Sequence, residues 1–537
     1  MSYSVAVDRA GAYSEAAPAR NRVRALALCV FAILLLLGGR SVQLALSGDP
    51  LASPRAAAPS AVRRGDIVDR NGVLLATTVR AYALTAGPAR VWNAGETADA
   101  LRRVFPDLDR ATLVRRLNDR GRDSIFLRRS LSPEQRQHVL ALGLAGIGFE
   151  AEERRVYPNG ALAAHALGFT DVDLNPLAGI ERGLDARLRE FGEAGRALPV
   201  SIDVRIQYAV EMELDAAARA AGAQGGAGII VDGRSGEVLA LASWPNFDPN
   251  AAGDAHETTR RDRVGGDVHE LGSTIKPFTI AMALQERLSN GSEAFDLSQP
   301  LVIDDTRIED HELTPGPATL RDILMHSSNI GAARLAMRVG GERQRAYLDR
   351  LGLTRAGRLQ IGRNQAPLAP AARGRRDVAG LGFGYGLAAT PVSLAAAYTV
   401  FANDGARVEP TLLLQGLEDV VERTPVFSPE TTRQVLGYMR SAVTDGTGRA
   451  ADVPGLEVAG KTGTAEKLSG VEGYDENRNF SSFAGIFPAS DPRYVIVIAL
   501  DDVANGEAGG VVAAPAVART LRRIAPMLGL RVTAPAH

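Results

Sequence analysis

The chain has 537 residues, 45% of them hydrophobic and 23% charged, with a formal net charge of -1. That length supplies two or three domains with sizeable cores, and the near-zero charge balance gives no support to a nucleic-acid partner. A single cysteine, Cys29, excludes a disulfide framework and a cysteine-based metal site.

Residues 1–24 are polar, with Arg20, Arg22 and Arg24 ahead of a run that carries no charge from Ala25 to Gly39 and continues past Arg40 to Leu46. A bilayer span needs about 20 apolar residues, a length met if Arg40 snorkels to the outer interface. The preceding arginines orient such a span with its N-terminus inside. The expectation is a cytoplasmic tail over 1–24, a retained transmembrane anchor over 25–46, and a chain that faces the exterior or periplasm from about residue 47. A cleaved signal peptide ending near Ala56-Ala57-Ala58 is the competing reading, disfavoured because the run is long and the small-residue site lies far from its end.

Residues 49–61, rich in Pro and Ala, read as a linker. An Asn71-Gly72 turn between apolar stretches in 63–76 predicts a hairpin. Helical spacing runs over 98–142, broken near Pro106, Gly121 and Pro133, with a dense charged face expected to be solvated. His165 stands apart from other ligand types, so a packed structural histidine is expected. A second domain is placed from near Leu198: an Ala-rich helix ending about Ala221, strands over 228–232 and 237–242, a helix opening at Ser273, a helical block, then antiparallel strands over 480–487 and 494–500. Strands before and after a helical block on one sheet predict an α/β sandwich with a site at the sheet edge.

Of the 61 Lys plus Arg residues, three are lysine: Lys276, Lys461 and Lys467. Arginine holds its proton, whereas a buried lysine titrates toward neutrality, so a lysine retained in this chain is a candidate for chemistry. Lys276 follows Ser273 by three residues, Ser327-Ser328-Asn329 makes a Ser-x-Asn, and Lys461-Thr462-Gly463-Thr464 follows in order. Ser-x-x-Lys, Ser-x-Asn and Lys-Thr-Gly in that sequence are far more specific than any one of them. In this reading Lys276 takes the proton of the Ser273 nucleophile, and Ser327 relays a proton to the leaving amine. Asn329 holds a substrate amide and steadies Lys276, Lys461 with the Thr462 and Thr464 hydroxyls binds a carboxylate, and Gly463 admits the ligand to the strand backbone. The backbone N–H groups of Ser273 and Thr464 form the oxyanion hole.

On these motifs the chain resembles the penicillin-binding acyl-serine transferases, most closely the class B penicillin-binding proteins. The resemblance extends to Arg64-Gly65-Asp66-Ile67-Val68-Asp69-Arg70-Asn71-Gly72, Gly384-Tyr385-Gly386, Thr390-Pro391, Gly446-Thr447-Gly448 and Gly509-Gly510. It implies an α/β transpeptidase domain of the serine β-lactamase-like type over 198–525, an antiparallel sheet sandwiched by helices. An elongated α+β pedestal over 47–197 precedes it, and a tail over 526–537 follows. It implies a D,D-transpeptidase that cross-links lipid-linked peptidoglycan stem peptides and is acylated by β-lactams, without metal or cofactor. Lys-Thr-Gly-Thr-Ala-Glu-Lys looks most like the division-specific, FtsI-type branch, with the elongation branch as the alternative. The implied partners are a membrane glycosyltransferase of the FtsW family and other divisome proteins, at the septum of the inner membrane.

Leu271, Asp262, His269 and Ser393 stand where the family usually has proline, asparagine, an aromatic residue and glutamine. A hydrolytic β-lactamase is disfavoured because its water-activating glutamate belongs on a loop between Ser-x-Asn and Lys-Thr-Gly, whereas Glu476-x-x-Asn479 follows Lys461 and so comes in the wrong order. A glycosyltransferase-bearing class A enzyme is disfavoured for want of room before the pedestal. A β-lactam sensor or silent scaffold is disfavoured by the retained motif side chains.

Overall fold

The computed structural model describes residues 16–46, 64–311, 316–369, 371, 374–416, 419–468 and 474–532. The linker over 49–61, and the side chains of Arg20, Arg22 and Lys467, lie outside the described residues. Two units divide the chain, 1–61 and 62–537. In the first, helix α1 (Ala16–Leu46) covers the expected anchor. Among the described residues, however, no helix is long and apolar enough to cross a membrane. The charge-free stretch Ala25–Gly39 rises only about 22 Å, short of a hydrocarbon core of about 30 Å.

In the second unit, β1 (Ile67–Val68) and β2 (Leu74–Ala86) form the expected hairpin, with Gly72 at φ 85° in its turn. The 98–142 region is less helical than its spacing predicts. Helices α2 (Ala94–Val104), α3 (Arg110–Leu117) and α4 (Pro133–Leu140) are present, but Ile125–Leu131 is a strand, β3. Its buried Ile125, Leu127 and Leu131 share one face, a pattern masked in the sequence by the exposed Phe126 and by Arg128 and Arg129. Strand β4 (Ile147–Val156) pairs with β2 along its whole length. It escapes a hydrophobic pattern because Glu150, Glu152, Glu153, Arg154 and Arg155 occupy it. Short helices α5 (Gly179–Gly183) and α6 (Asp185–Glu193) lead to β5 (Leu198–Pro199), parallel to β1.

Residues 64–72 clamp this region to the catalytic domain. Arg64 and Arg155, both buried, meet on the buried Glu181 carboxylate at 2.7 Å each. The Asp69 carboxylate accepts from the backbone N–H groups of Asn71, Val73 and Val204. Arg70 pairs with Glu237 at 3.1 Å.

The catalytic-domain sheet has five antiparallel strands, β6 (Gly225–Asp232), β7 (Val238–Trp244), β8 (Ala459–Leu468), β9 (Tyr474–Phe487) and β10 (Tyr494–Val503), in the order β8-β9-β10-β6-β7. Both faces of β6, β7 and β10 are buried, so these strands carry largely apolar runs, and alternate residues serve opposite layers. Ile230, Ile496 and Ile498 pack with α7 (Val204–Ala220) and α8 (Gly509–Ile524). On the other face Ile229, Val231, Val495 and Val497 share a core with Phe278, Ile330, Leu335 and Tyr398. That core also takes in Ile67, Leu75, Ile180 and Leu198 of the preceding region. His165 is buried there as a structural histidine. It bonds the Thr259 carbonyl at 2.9 Å, and desolvation pushes its pKa down to about 4.

Candidate active site

Ser273 lies on a 3-10 turn, Gly272–Ile275, that runs into helix α9 (Lys276–Gln285), against the edge strand β8. Close approach dictates the glycines here. Gly272, at φ 50°, would place a Cβ 2.7 Å from the Thr464 carbonyl oxygen, and one on Gly384 would meet Gly272 O at 2.1 Å. Tyr398 Oη donates to the Thr274 carbonyl at 2.8 Å from beneath. The space over Gly463 belongs to this turn rather than to an open cleft. A Cβ there would lie 2.5 Å from Ser482 Oγ, 2.8 Å from Thr274 Cγ2 and 3.1 Å from Leu271 O. A glycine at this position lets the Ser273 turn seat closely on the strand.

The Ser-x-Asn segment joins α10 (Leu320–Met325) to α11 (Asn329–Val339). Ser327 takes a left-handed φ of 60°, a strained state for serine. This reversal lets Ser328 cap α11 through Gly331 N while Ser327 Oγ reaches Ser273 Oγ at 2.9 Å. Lys276 Nζ bonds the Ser327 carbonyl at 2.5 Å, Asn329 Oδ1 at 2.7 Å and Ser327 Oγ at 3.2 Å. No hydrogen bond joins Lys276 to Ser273 directly. The spacing predicts a direct contact, but the amine is drawn across to the acceptors of the Ser-x-Asn turn. The line from the Ser273 hydroxyl to the amine therefore runs Ser273 Oγ, Ser327 Oγ, Lys276 Nζ.

Lys276 and Lys461 are both fully buried, and neither forms an ion pair among the described residues. Burial first, then the neighbouring Lys461 charge, holds the Lys276 pKa well below the ordinary lysine value, with Asp310 acting in the opposite sense. Burial brings Lys461 down to about 7. Lys461 Nζ bonds Thr462 O and Oγ1 at 3.0 and 3.1 Å, and Thr462 Oγ1 meets Thr447 Oγ1 at 3.0 Å. Thr464 Oγ1 accepts from Gly509 N at 3.2 Å. All eight residues expected from the sequence thus gather on two seams, the Ser-x-Asn turn and the β8 edge, around Ser273.

Two contributors carried no sequence signal of their own role. Thr447 stands in a recognisable Gly-Thr-Gly, but nothing there shows that it meets Thr462. Asp310 accepts Asn329 N at 2.5 Å, Ile330 N at 3.0 Å and Ser328 Oγ at 2.6 Å, and so fixes the start of α11. Asp310→Asn keeps an acceptor but removes the charge that supports protonated Lys276. The acid limb of acylation is expected to move to lower pH, read from a pH profile of acylation by penicillin. Of the unusual residues, His269 supplies the missing aromatic surface by stacking on Phe480 with ring centroids 4.1 Å apart. Asp262 caps Val264 N and Gly265 N as an asparagine would, with burial raising its carboxyl to about 6.

The family described as penicillin binding protein transpeptidase domain matches residues 226–522, and the penicillin-binding protein dimerisation domain matches 59–190. The chain belongs to the class B penicillin-binding proteins. It is 40% identical over 87% of its length to the probable peptidoglycan D,D-transpeptidase FtsI of Caulobacter vibrioides, covering 82% of that protein. It is 32% identical over 84% of its length to the FtsI of Escherichia coli strain K12, covering 81% of it. Penicillin binding protein 3 from Mycobacterium tuberculosis, complexed with aztreonam, superposes with a TM-score of 0.69 at 26% identity, over 88% of this chain and 98% of that one. Among class B penicillin-binding proteins this chain therefore keeps both the transpeptidase and the dimerisation modules.

Proposed function

We propose that the chain is a peptidoglycan D,D-transpeptidase acting through an acyl-serine on Ser273. The observation that carries this reading is the unbroken line Ser273 Oγ, Ser327 Oγ, Lys276 Nζ, ending on a buried amine that forms no ion pair among the described residues. Neutral Lys276 draws the Ser273 proton through Ser327 as Oγ attacks the carbonyl of the penultimate D-alanine. The Ser273 and Thr464 N–H groups receive the oxyanion. As the intermediate collapses, the C–N bond breaks and Lys276 returns the proton through Ser327 to the departing D-alanine amine. An amine of a second stem peptide then attacks the ester, forms the cross-link and restores the Ser273 hydroxyl. Protonated Lys461, with Thr462, Thr464 and Thr447, holds the terminal carboxylate. Asn329 orients both the substrate amide and Lys276.

The FtsI relatives support a place in septal wall synthesis, with the wall-facing bulk outside the inner membrane. In this reading the 25–46 segment serves as the anchor, its span completed past Gly39 by the residues to Leu46 with Arg40 drawn to the interface, and it meets a membrane glycosyltransferase of the FtsW family. The proposed layout is a pedestal over 47–197, a transpeptidase domain over 198–525 and short tails at 1–24 and 526–537. Labelled penicillin is expected to form a stable adduct with the wild-type protein and none with Ser273→Ala. Rapid release of the label would instead mark a hydrolase, and absence of label a scaffold.

A further inference from the structure

A cavity of about 570 Å³ lies where β3, β4 and the loop 169–177 meet the segment 249–260 of the catalytic domain, and it shares no residue with the active site. Arginines dominate it. Arg128 is paired with Asp107, and Arg129 with Glu152 and Asp173. Arg154 and Arg260 form no ion pair among the described residues. Arg155 is 95% buried and spends Nε on Glu181 and Nη1 on Thr78, yet its Nη2 has no hydrogen-bond partner, and neither has Arg260 Nε. Buried donors of this kind are normally satisfied. The one acid lining the cavity, Asp171, is committed to its own turn through Asp173 N, Asn175 N and Asn175 Nδ2. The rim adds apolar surface at Val172 and Leu177, 53% and 45% exposed.

We propose that this cavity is a second binding site for a short peptide carrying free carboxylates, the chemistry of an uncross-linked stem peptide. Guanidinium groups bind carboxylates in a two-pronged fork, and the two unpaired arginines supply one prong set from each side of the junction. The apolar rim takes methyl groups, which a bare phosphate or diphosphate lacks. The volume suits a few residues rather than a helix or a folded partner. The ligand class rests on the transpeptidase reading, since it is the substrate pool that reading supplies.

Binding of soluble N-acetylmuramyl pentapeptide to the full chain, measured by calorimetry with and without prior treatment with penicillin, tests this. Expected is a component that penicillin does not remove, that weakens with added salt, and that falls at least tenfold in Arg154→Gln/Arg260→Gln. Both residues are only partly buried, and neither touches the catalytic cleft, so the variant should label with penicillin at the wild-type rate. Equal binding by the variant, or by a pentapeptide with amidated carboxylates, would overturn the proposal. So would competition by inorganic pyrophosphate or polyglutamate as strong as that of the pentapeptide. The arginine-dependent component is read whether or not penicillin labels the chain, so the two readings fail separately.

Discussion

Lys276→Arg is expected to slow acylation by penicillin by a factor of about 10²–10⁴, the range that general-base catalysis contributes, while the protein keeps its fold. The substitution keeps the capacity to donate to Asn329 Oδ1 and the Ser327 carbonyl, but fixes a positive charge where the mechanism needs a neutral amine, and so removes the ability to accept the Ser273 proton. An account in which the amine serves merely as a structural cation predicts a small loss. Stopped-flow acylation of the purified chain separates the two, and a rate within fivefold of wild type would remove the base from Lys276. Lys276→Gln, neutral and shorter, guards against an effect of bulk, and should be as slow.

The same assignment fixes the pH profile of the wild-type enzyme. A base must be neutral to act, so kcat/KM rises as pH climbs through the depressed pKa of Lys276. The carboxylate anchor must be charged to act, so kcat/KM falls as pH passes through the Lys461 value of about 7 in the free enzyme. The curve should therefore be a bell whose alkaline limb lies near neutrality. A carboxylate seated on Lys461 holds its proton in place, and the retained charge in turn keeps the Lys276 pKa low. Occupation of the carboxylate site thus prepares the base. With saturating substrate the alkaline limb of kcat should move upward.

The groups that chemistry requires at short spacing were readable from the chain: Ser273 and Lys276 within one turn, Ser327 and Asn329 across one reversal, Lys461 to Thr464 along one strand. Their identity as a set was readable too, because arginine elsewhere made each lysine conspicuous. The connection between them was not. Whether Lys276 faces Ser273 or the Ser-x-Asn turn depends on competing, partly buried acceptors contributed from 51 and 53 residues away, and sequence spacing carries no information about that competition. Asp310 is one carboxylate among 62 acidic residues, and only the folded loop brings it to the start of α11. Gly463 stands out in the sequence, but its close contact with Thr274 and Leu271 does not, because only the folded turn brings those residues over β8. Strands β3 and β4 escape the sequence pattern because several of their arginines and glutamates pair with each other, with the loop 169–177 and with α5 instead of with solvent. Arg129 with Glu152 and Arg155 with Glu181 are cases in point. Charge in a strand signals exposure only when the partner is water.

Glu181→Ala should be the most damaging single change outside the catalytic cleft, destabilising the pedestal by about 3–5 kcal/mol, the usual consequence of removing one partner from a buried ionic cluster. Its carboxylate is wholly buried. It accepts Arg64 Nε and Nη2 on one oxygen, and Arg155 Nε with the Tyr157 hydroxyl on the other. Without it, Arg155 keeps only Thr78, and Arg64 keeps the Glu181 backbone carbonyl and Asp185. Arg155 would then sit in a low-dielectric interior with no carboxylate partner, and Arg64 with only the partly exposed Asp185. A reading based on lost packing volume alone predicts that Glu181→Gln, nearly isosteric, is benign. The electrostatic reading predicts that it costs most of what the alanine does, because the uncompensated charge is the same. Arg64→Met/Glu181→Leu/Arg155→Met removes all three charges together and is expected to recover much of the loss. Chemical denaturation of the four proteins, followed by a probe in the pedestal, orders them. A glutamine variant as stable as wild type would show that shape, not charge, holds this joint. Residues 64–72 span the seam from Glu181 through Asp69 to Val204 and Glu237. Loosening this cluster should therefore also lower the temperature at which the chain loses penicillin labelling, although Glu181 touches neither Ser273 nor Lys276.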